Sequence, residues 1–298
     1  MAYFLQQLAN AVPVAALYAL LAFGYGLVFA LTRRADLTFG ALFAFSGQIF
    51  ILFVDVGWSR LFLVMPAALG LGAVAALLYT GGAGLVIART VMRPLAHGAA
   101  TAVVVASLGV LLVLSETARL ASDTRAVWLP PMLNMPVVLW SADGFPVALT
   151  VMQLLNVGVM LGLLLAGQAV LARSAAGRMW RAVAQDRQAA ALCGIDPAAV
   201  FLATSLAAAL VATIAGVLAA AYYGNMDFGT GFVFALKVLF IAGIGGHGEP
   251  RLAALGGGVI GLLESLWSGY GPIVWRDPVI FGLLVLMLVL FRREKPAI

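Results

Sequence analysis

The sequence predicts an all-α, polytopic membrane protein: a bundle of about nine spanning helices, with eight to ten as the range, forming one transmembrane domain over 1–298. Three observations predict it. Of the 298 residues, 64% are hydrophobic and only 10% charged, and the mean hydropathy of +1.09 exceeds what a water-soluble domain can bury. The apolar residues fall in charge-poor windows near the roughly 20 residues that cross a hydrocarbon core of about 30 Å. The arginines gather on every second connection, which is the signature of a fixed orientation in a bilayer.

The windows run roughly from 4 to 31, 37 to 54, 61 to 88, 98 to 115, 146 to 171, 197 to 221, 229 to 246, 252 to 268 and 278 to 291. Met1-Ala-Tyr-Phe-Leu-Gln-Gln7 has no basic region ahead of the first window, so that window reads as a retained span rather than a cleaved signal. The second opens on Asp36-Leu-Thr-Phe-Gly-Ala41, polar and small enough to admit a broken or re-entrant helix. Gly70 and Gly72 in the third, and Gly256, Gly257, Gly258 and Gly261 in the eighth, allow helices to approach closely in lipid. The connection from about 116 to 145, with Trp128, Pro130, Pro131, Pro136 and Trp140, reads as a docking face or as an aromatic belt at the membrane interface. Asp196-Pro197 and Asp277-Pro278 each place a cap acceptor before a proline at the first helical position, where its missing N–H costs nothing. The seventh window ends in Gly243-Ile-Gly-Gly-His-Gly248, whose Gly245, Gly246 and Gly248 mark a backbone bend.

An incorrect span count would scatter basic residues over both sides. With the N-terminus outside and the C-terminus cytoplasmic, Arg33, Arg34, Arg89, Arg93, Arg173, Arg178, Arg181, Arg187, Arg251, Arg292, Arg293 and Lys295 fall inside, and Arg60, Arg119, Arg125 and Arg276 outside. Lys237 lies within a span and completes the seventeen. The net charge of +5 therefore reflects sidedness and gives no reason to expect nucleic acid.

Several chemistries lack their residues. A P-loop needs lysine directly after glycine, but the two lysines follow Leu236 and Glu294. The two histidines, His97 and His247, form no metalloprotease motif and read as interfacial polar residues, so no metal site is expected. Gly243 to Gly248 matches a dinucleotide-binding fingerprint, but it ends a membrane helix instead of joining a strand to a helix. The single Cys193 rules out an internal disulfide and reads as an inert, buried or half-buried thiol.

Two features remain. Ser174 to Ile195 is a charged stretch between two apolar windows, with Gly177 and Gly194 as punctuation, Asp186 as a helix start and Gly194 as its stop; it has the character of a socket for another protein. Inside the membrane lie Lys237 and Glu264, with Gln48, Gln153 and Asn156 as weaker members and Asp36 at a span entrance. Ionisable groups at that depth usually face the bundle interior or a wet path. Lys237 and Glu264 sit about eight and four residues from the same membrane face, a height difference of roughly 6 Å that a lysine can reach across. They read as a structural ion pair or as part of a permeation path.

Gly177-Arg-Met-Trp-Arg-Ala-Val-Ala-Gln-Asp186 and Ala190-Ala-Leu-Cys-Gly-Ile195 resemble the cytoplasmic loop of branched-chain amino-acid ABC permeases of the LivH and LivM type. Ala215-Gly-Val-Leu218, Gly231, Ala235-Leu-Lys237, Gly245 to Gly248, Leu255-Gly-Gly257 and Gly261-Leu-Leu-Glu264 follow in that family's order. The resemblance covers most of the chain and is specific from about 174 to 265. Upstream, where these permeases often carry Asn-Phe-Ala-His-Gly-Asp, Phe39 replaces the histidine and Ala41 the aspartate. That departure leaves open other amino acids, amides, urea and organic acids as solutes.

The resemblance implies an inner-membrane importer subunit without its own cofactor or catalytic site. Its implied partners are a LivM-like second permease, two cytosolic ATPases holding ATP and Mg, an extracytoplasmic solute-binding protein and membrane lipid. It further implies that Gly177, Arg181, Ala182, Asp186, Arg187, Gly194 and Ile195 form the contact with the ATPase. A secondary transporter using Lys237 and Glu264 as a proton-coupled pair is the alternative, supported only by a faint echo between Phe39 to Phe45 and Phe228 to Ala235. A membrane-embedded enzyme is the third reading; no paired aspartates or metal cluster near the interface favours it.

Overall fold

The computed structural model describes residues 2–95, 98–125, 127–142, 145–244 and 248–290. Among these, eight helices are long and apolar enough to cross a membrane and a ninth, Thr230–Ile244, is apolar but shorter. In chain order the helices are α1 (Ala2–Thr32), α2 (Thr38–Asp55), α3 (Met65–Ile87), α4 (Arg93–Leu95), α5 (Ala100–Ala121), α6 (Val151–Arg173), α7 (Ala175–Gln185), α8 (Arg187–Leu192), α9 (Pro197–Tyr223), α10 (Thr230–Ile244), α11 (Pro250–Tyr270) and α12 (Arg276–Leu290). Wider π-helical turns extend α2 through Val56–Arg60 and join α3 to α4 through Ala88–Met92.

The second span departs from expectation. It is one continuous helix and the most internal of the set, with 78% of its apolar window buried. The small residues that suggested a break serve packing instead. Gly40 lies against the backbone of Ala235 on α10, and Gly47 stands where a Cβ would come within 2.7 Å of Met226 Cε. Phe43, Phe50 and Val54 of the same helix are almost fully buried in the main core. The segments that echo one another, Phe39 to Phe45 and Phe228 to Ala235, meet here, with Gly40 against Ala235 and Gly231 against Ala44.

Helix α1 packs along α11, where a Cβ on Gly261 would fall 2.7 Å from Ala15 Cα. The connection between α5 and α6 corrects the fifth window, which was expected to start at 146. Residues Pro136–Ala142 (β1) and Phe145–Thr150 (β2) form an antiparallel hairpin, irregular between Val138 and Trp140, before the helix begins at Val151. Thr150 caps that helix: its hydroxyl accepts from Gln153 N while Gln153 Oε1 accepts from Thr150 N at 2.8 Å. The β-branched residues Val137, Val138 and Val147 suit strands.

Candidate functional site

At the hairpin end of the bundle four helices deliver five polar side chains to one point. Lys237 of α10 is almost fully buried, and its Nζ donates to Glu264 Oε1 and Oε2 on α11 and to Asp277 Oδ1 on α12, each at 3.0 Å. Tyr18 of α1 donates its hydroxyl to Glu264 Oε2 at 2.8 Å and lies 3.3 Å from Lys237 Nζ. Arg276, at the start of α12, places Nε 3.7 Å from Glu264 Oε1 and 3.5 Å from Asp277 Oδ1. Two cations thus face two carboxylates, so the charges cancel in a low-dielectric setting that would penalise any one alone.

The sequence had pointed to Lys237 and Glu264. It placed Arg276 in an outer connection and took Asp277 for a helix cap. The helix instead begins at Arg276, after a 3-10 turn at Ile273–Trp275, which leaves Asp277 inside it and turned toward Lys237. Tyr18 carried no signal, because a tyrosine in an apolar run reads as core.

Beside the cluster opens a cavity of about 510 Å³. Its lining combines the ionic groups with the polar Asn225, Asp227 and Thr230 and the apolar Phe43, Val233 and Phe234. The aromatic wall is ordered: Phe234 stacks on Tyr18 at 5.5 Å between centroids and meets Phe43 at 4.8 Å.

The weaker polar candidates lie elsewhere and serve local structure. Gln48 donates to Asp227 O at 3.3 Å, Gln153 to Tyr222 Oη at 3.1 Å and Asn156 to Leu218 O at 3.3 Å, each tying one helix to another segment. Asp36 accepts from Thr38 N at 2.8 Å and from the Thr38 hydroxyl, turning the chain into α2. Burial pushes its carboxyl above the usual range, against the pull of those two bonds. Gly248 has φ +107 and sits against the Arg33 guanidinium. Gly245, Gly246, His97, His247, Arg292, Arg293 and Lys295 lie outside the described residues.

At the opposite, arginine-rich end, Ser174 to Ile195 folds as two helices rather than one. Ser174 caps α7 through Gly177 N, and Gly177 lies so close to the α6 carbonyls of Val170 and Leu171 that no side chain fits. Trp180 is buried and donates to Leu27 O of α1 at 3.2 Å, and Arg181 donates to Leu171 O. Helix α7 is thereby fastened to the bundle, with Ala182 half-buried along it.

Helix α8 stands out from this base. Asp186 starts it, accepting from Gln188 N and Ala189 N at 2.8 and 3.0 Å. It ends in a Schellman turn: Gly194 at φ +84 donates to Ala191 O, and Ile195 N reaches back to Ala190 O. Arg187 is exposed and Leu192 is 90% exposed. Cys193, expected to be buried or half-buried, is exposed beside them, because the one inward position of this two-turn helix is taken by Ala190.

The chain matches the family model described as "Branched-chain amino acid transport system / permease component" over residues 7–289. It is 30% identical over 295 residues to the high-affinity branched-chain amino acid transport system permease protein LivH of Escherichia coli (strain K12), covering 96% of this chain and 93% of that one. It is 29% identical over 295 residues to LivH of Salmonella typhimurium, with the same coverage. It is 30% identical over 298 residues to the corresponding permease BraD of Pseudomonas aeruginosa, covering 97% and 94%. No solved structure matches the chain.

Proposed function

The chain belongs to the branched-chain amino acid transport system permease family, and on that premise we propose that it forms half of an importer pore for branched-chain amino acids or a closely related solute. It is a permease of a transport system, and a multi-pass membrane protein. ATP and Mg belong to two cytosolic partner ATPases, a LivM-like permease supplies the other half of the pore, and an extracytoplasmic binding protein delivers the solute. The N-terminus and the hairpin lie outside, and α7, α8 and the C-terminus lie in the cytoplasm.

The observation that carries the coupling role is the contrast between α7 and α8. Helix α7 is held to α1 and α6 through Trp180, Arg181 and Gly177, so force applied at α8 reaches the spanning helices directly. Helix α8 exposes Leu192 at its tip and is capped by the Asp186 carboxylate at one end and by its backbone turn at the other, as a preformed knob for a groove in the ATPase. Closure of the ATPase pair then moves α6 and α9, the spans on either side of the loop. Gly177, Arg181, Ala182, Asp186, Arg187, Gly194 and Ile195 take this coupling role.

Reconstitution in proteoliposomes tests the reading. ATP-dependent leucine uptake is expected only with the cognate ATPases and binding protein present. Uptake that persists on a proton gradient after ATP is removed would favour the secondary transporter.

A further inference from the structure

Lys237 and Glu264 are the conspicuous charges, but they are fully committed. A lysine has three donors, and those of Lys237 face the Glu264 carboxylate, Asp277 Oδ1 and Tyr18 Oη while the side chain is 2% exposed. Glu264, 9% exposed, accepts from both Lys237 and Tyr18. Neither has capacity to spare for a solute.

Arg276 differs. Its side chain is 39% exposed on the cavity wall, and its contacts with the cluster are the longer ion pairs to Glu264 and Asp277. Its buried Nε has no hydrogen-bond partner, since the two carboxylates near it stand at 3.5 and 3.7 Å, beyond good hydrogen-bond range. Asp277 beside it is 41% exposed. The pair presents a planar fork of donors next to an acceptor, in a cavity also lined by Phe43, Val233 and Phe234.

The neighbouring backbone is irregular. The stretch 224–229 between α9 and α10 is non-helical, and its Asn225, Asp227 and Gly229 line the cavity. Irregular chain in a membrane protein is tolerated where it is enclosed in protein or lines a water-filled cavity.

We propose that this cavity is a solute station on the translocation path, in which Arg276 reads the carboxylate of an α-amino acid, Asp277 faces its ammonium, and Phe43 and Phe234 receive a branched aliphatic side chain. The inference rests on the permease reading and names the residues that would meet its solute. The lining carries both signs, Lys237 and Arg276 against Glu264, Asp277 and Asp227, so each end of a zwitterion meets an opposite charge, whereas an organic acid would add to the excess of carboxylates. Guanidinium matches carboxylate through two parallel hydrogen bonds, which a lysine cannot reproduce.

The test uses the complete complex in proteoliposomes, comparing wild type with Arg276→Gln and Arg276→Lys for ATP-driven leucine uptake, binding-protein-stimulated ATP hydrolysis and subunit assembly. Expected is a fall in uptake of at least about tenfold for Arg276→Gln, the size of a lost charge-assisted bond, with hydrolysis and assembly retained and partial recovery in Arg276→Lys. In a Cys193→Ser background, leucine should also slow maleimide modification of Thr230→Cys on the cavity wall, and Arg276→Gln should abolish that protection. Wild-type uptake or intact protection in Arg276→Gln would overturn the proposal, as would equal loss of uptake, hydrolysis and assembly, which would make Arg276 structural. A wild-type complex that hydrolyses ATP but moves no leucine would refute the branched-chain reading itself, without reference to any variant.

Discussion

The buried ammonium of Lys237 is stable because Glu264 of α11 and Asp277 of α12 share its neutralisation, and removing either buried charge, Lys237 or Glu264, leaves the other unbalanced, whereas loss of a partly exposed charge such as Arg276 is screened by water. Lys237→Met would leave the carboxylates of Glu264 and Asp277 with Arg276 as the only cation, at a cost of about 3–5 kcal/mol for a broken buried pair. The double variant Lys237→Met with Glu264→Gln keeps one cation and one anion, Arg276 and Asp277, whose Nε and Oδ1 already lie 3.5 Å apart. It should recover most of the assembly lost in the single variants, measured as the yield and melting temperature of the purified complex. A double variant as unstable as the sum of the singles would show that the four charges do not act as one unit. Transport by the recovered double variant should remain reduced, because Asp277 and Arg276 then pair with each other and turn from the cavity.

Helix α8 is a two-turn element with no apolar face of its own to speak of, so its ends define it. Gly194 has nothing within 4 Å of the place a Cβ would occupy, which means that substitution there meets no steric barrier, only the penalty of φ +84 for an L-residue. That penalty is about 1–2 kcal/mol, enough to unwind six residues and too little to unfold the bundle. Gly194→Val should therefore leave membrane insertion and complex yield unchanged while ATP hydrolysis loses its dependence on transport. Full coupling in this variant would remove α8 from the coupling role. The contrasting position is Gly177, where a side chain would strike the Val170 and Leu171 carbonyls; Gly177→Val should detach α7 and lower yield.

The proposed function uses two ends of the molecule, the ionic cavity near the hairpin and the α7 and α8 pair at the other, joined by the spanning helices. Helix α9 links them most directly, beginning two residues after Ile195 and ending at Tyr223, where the capping Gly224 accepts through its carbonyl from Leu129 N in the hairpin-end connection at 2.8 Å. Orientation in the membrane decides which end meets the solute first. In a Cys193→Ser background, cysteines at Ala175 and Ser141, both exposed in the structure, should divide by sidedness: an impermeant thiol reagent applied to intact cells should label Ser141→Cys and spare Ala175→Cys. The opposite pattern would invert the assignment of cavity and coupling helix to the two sides. Replacing Cys193 is necessary because its exposure would otherwise give a background signal.

The sequence by itself determined the solvent, the order of the spans and the two caps of α8, because each depends on composition or on residues within a few positions of one another. Length and apolarity decide whether a segment can enter lipid, and Asp186 and Gly194 act on their own backbone. What only the tertiary structure decided is who meets whom across helices. The small residues opening the second span were as compatible with a break as with close packing; the approach of Ala235 and Met226 makes them packing positions. The β hairpin was hidden because its apolar residues merged with the window after it. Tyr18 and Asp277 joined the Lys237 site only when α1 and α12 came to rest beside α10 and α11, and Arg276 was left facing the cavity for the same reason. Ion pairing in a low dielectric depends on distances of a few ångströms between residues as far apart as 18 and 264, and no spacing along the chain encodes that.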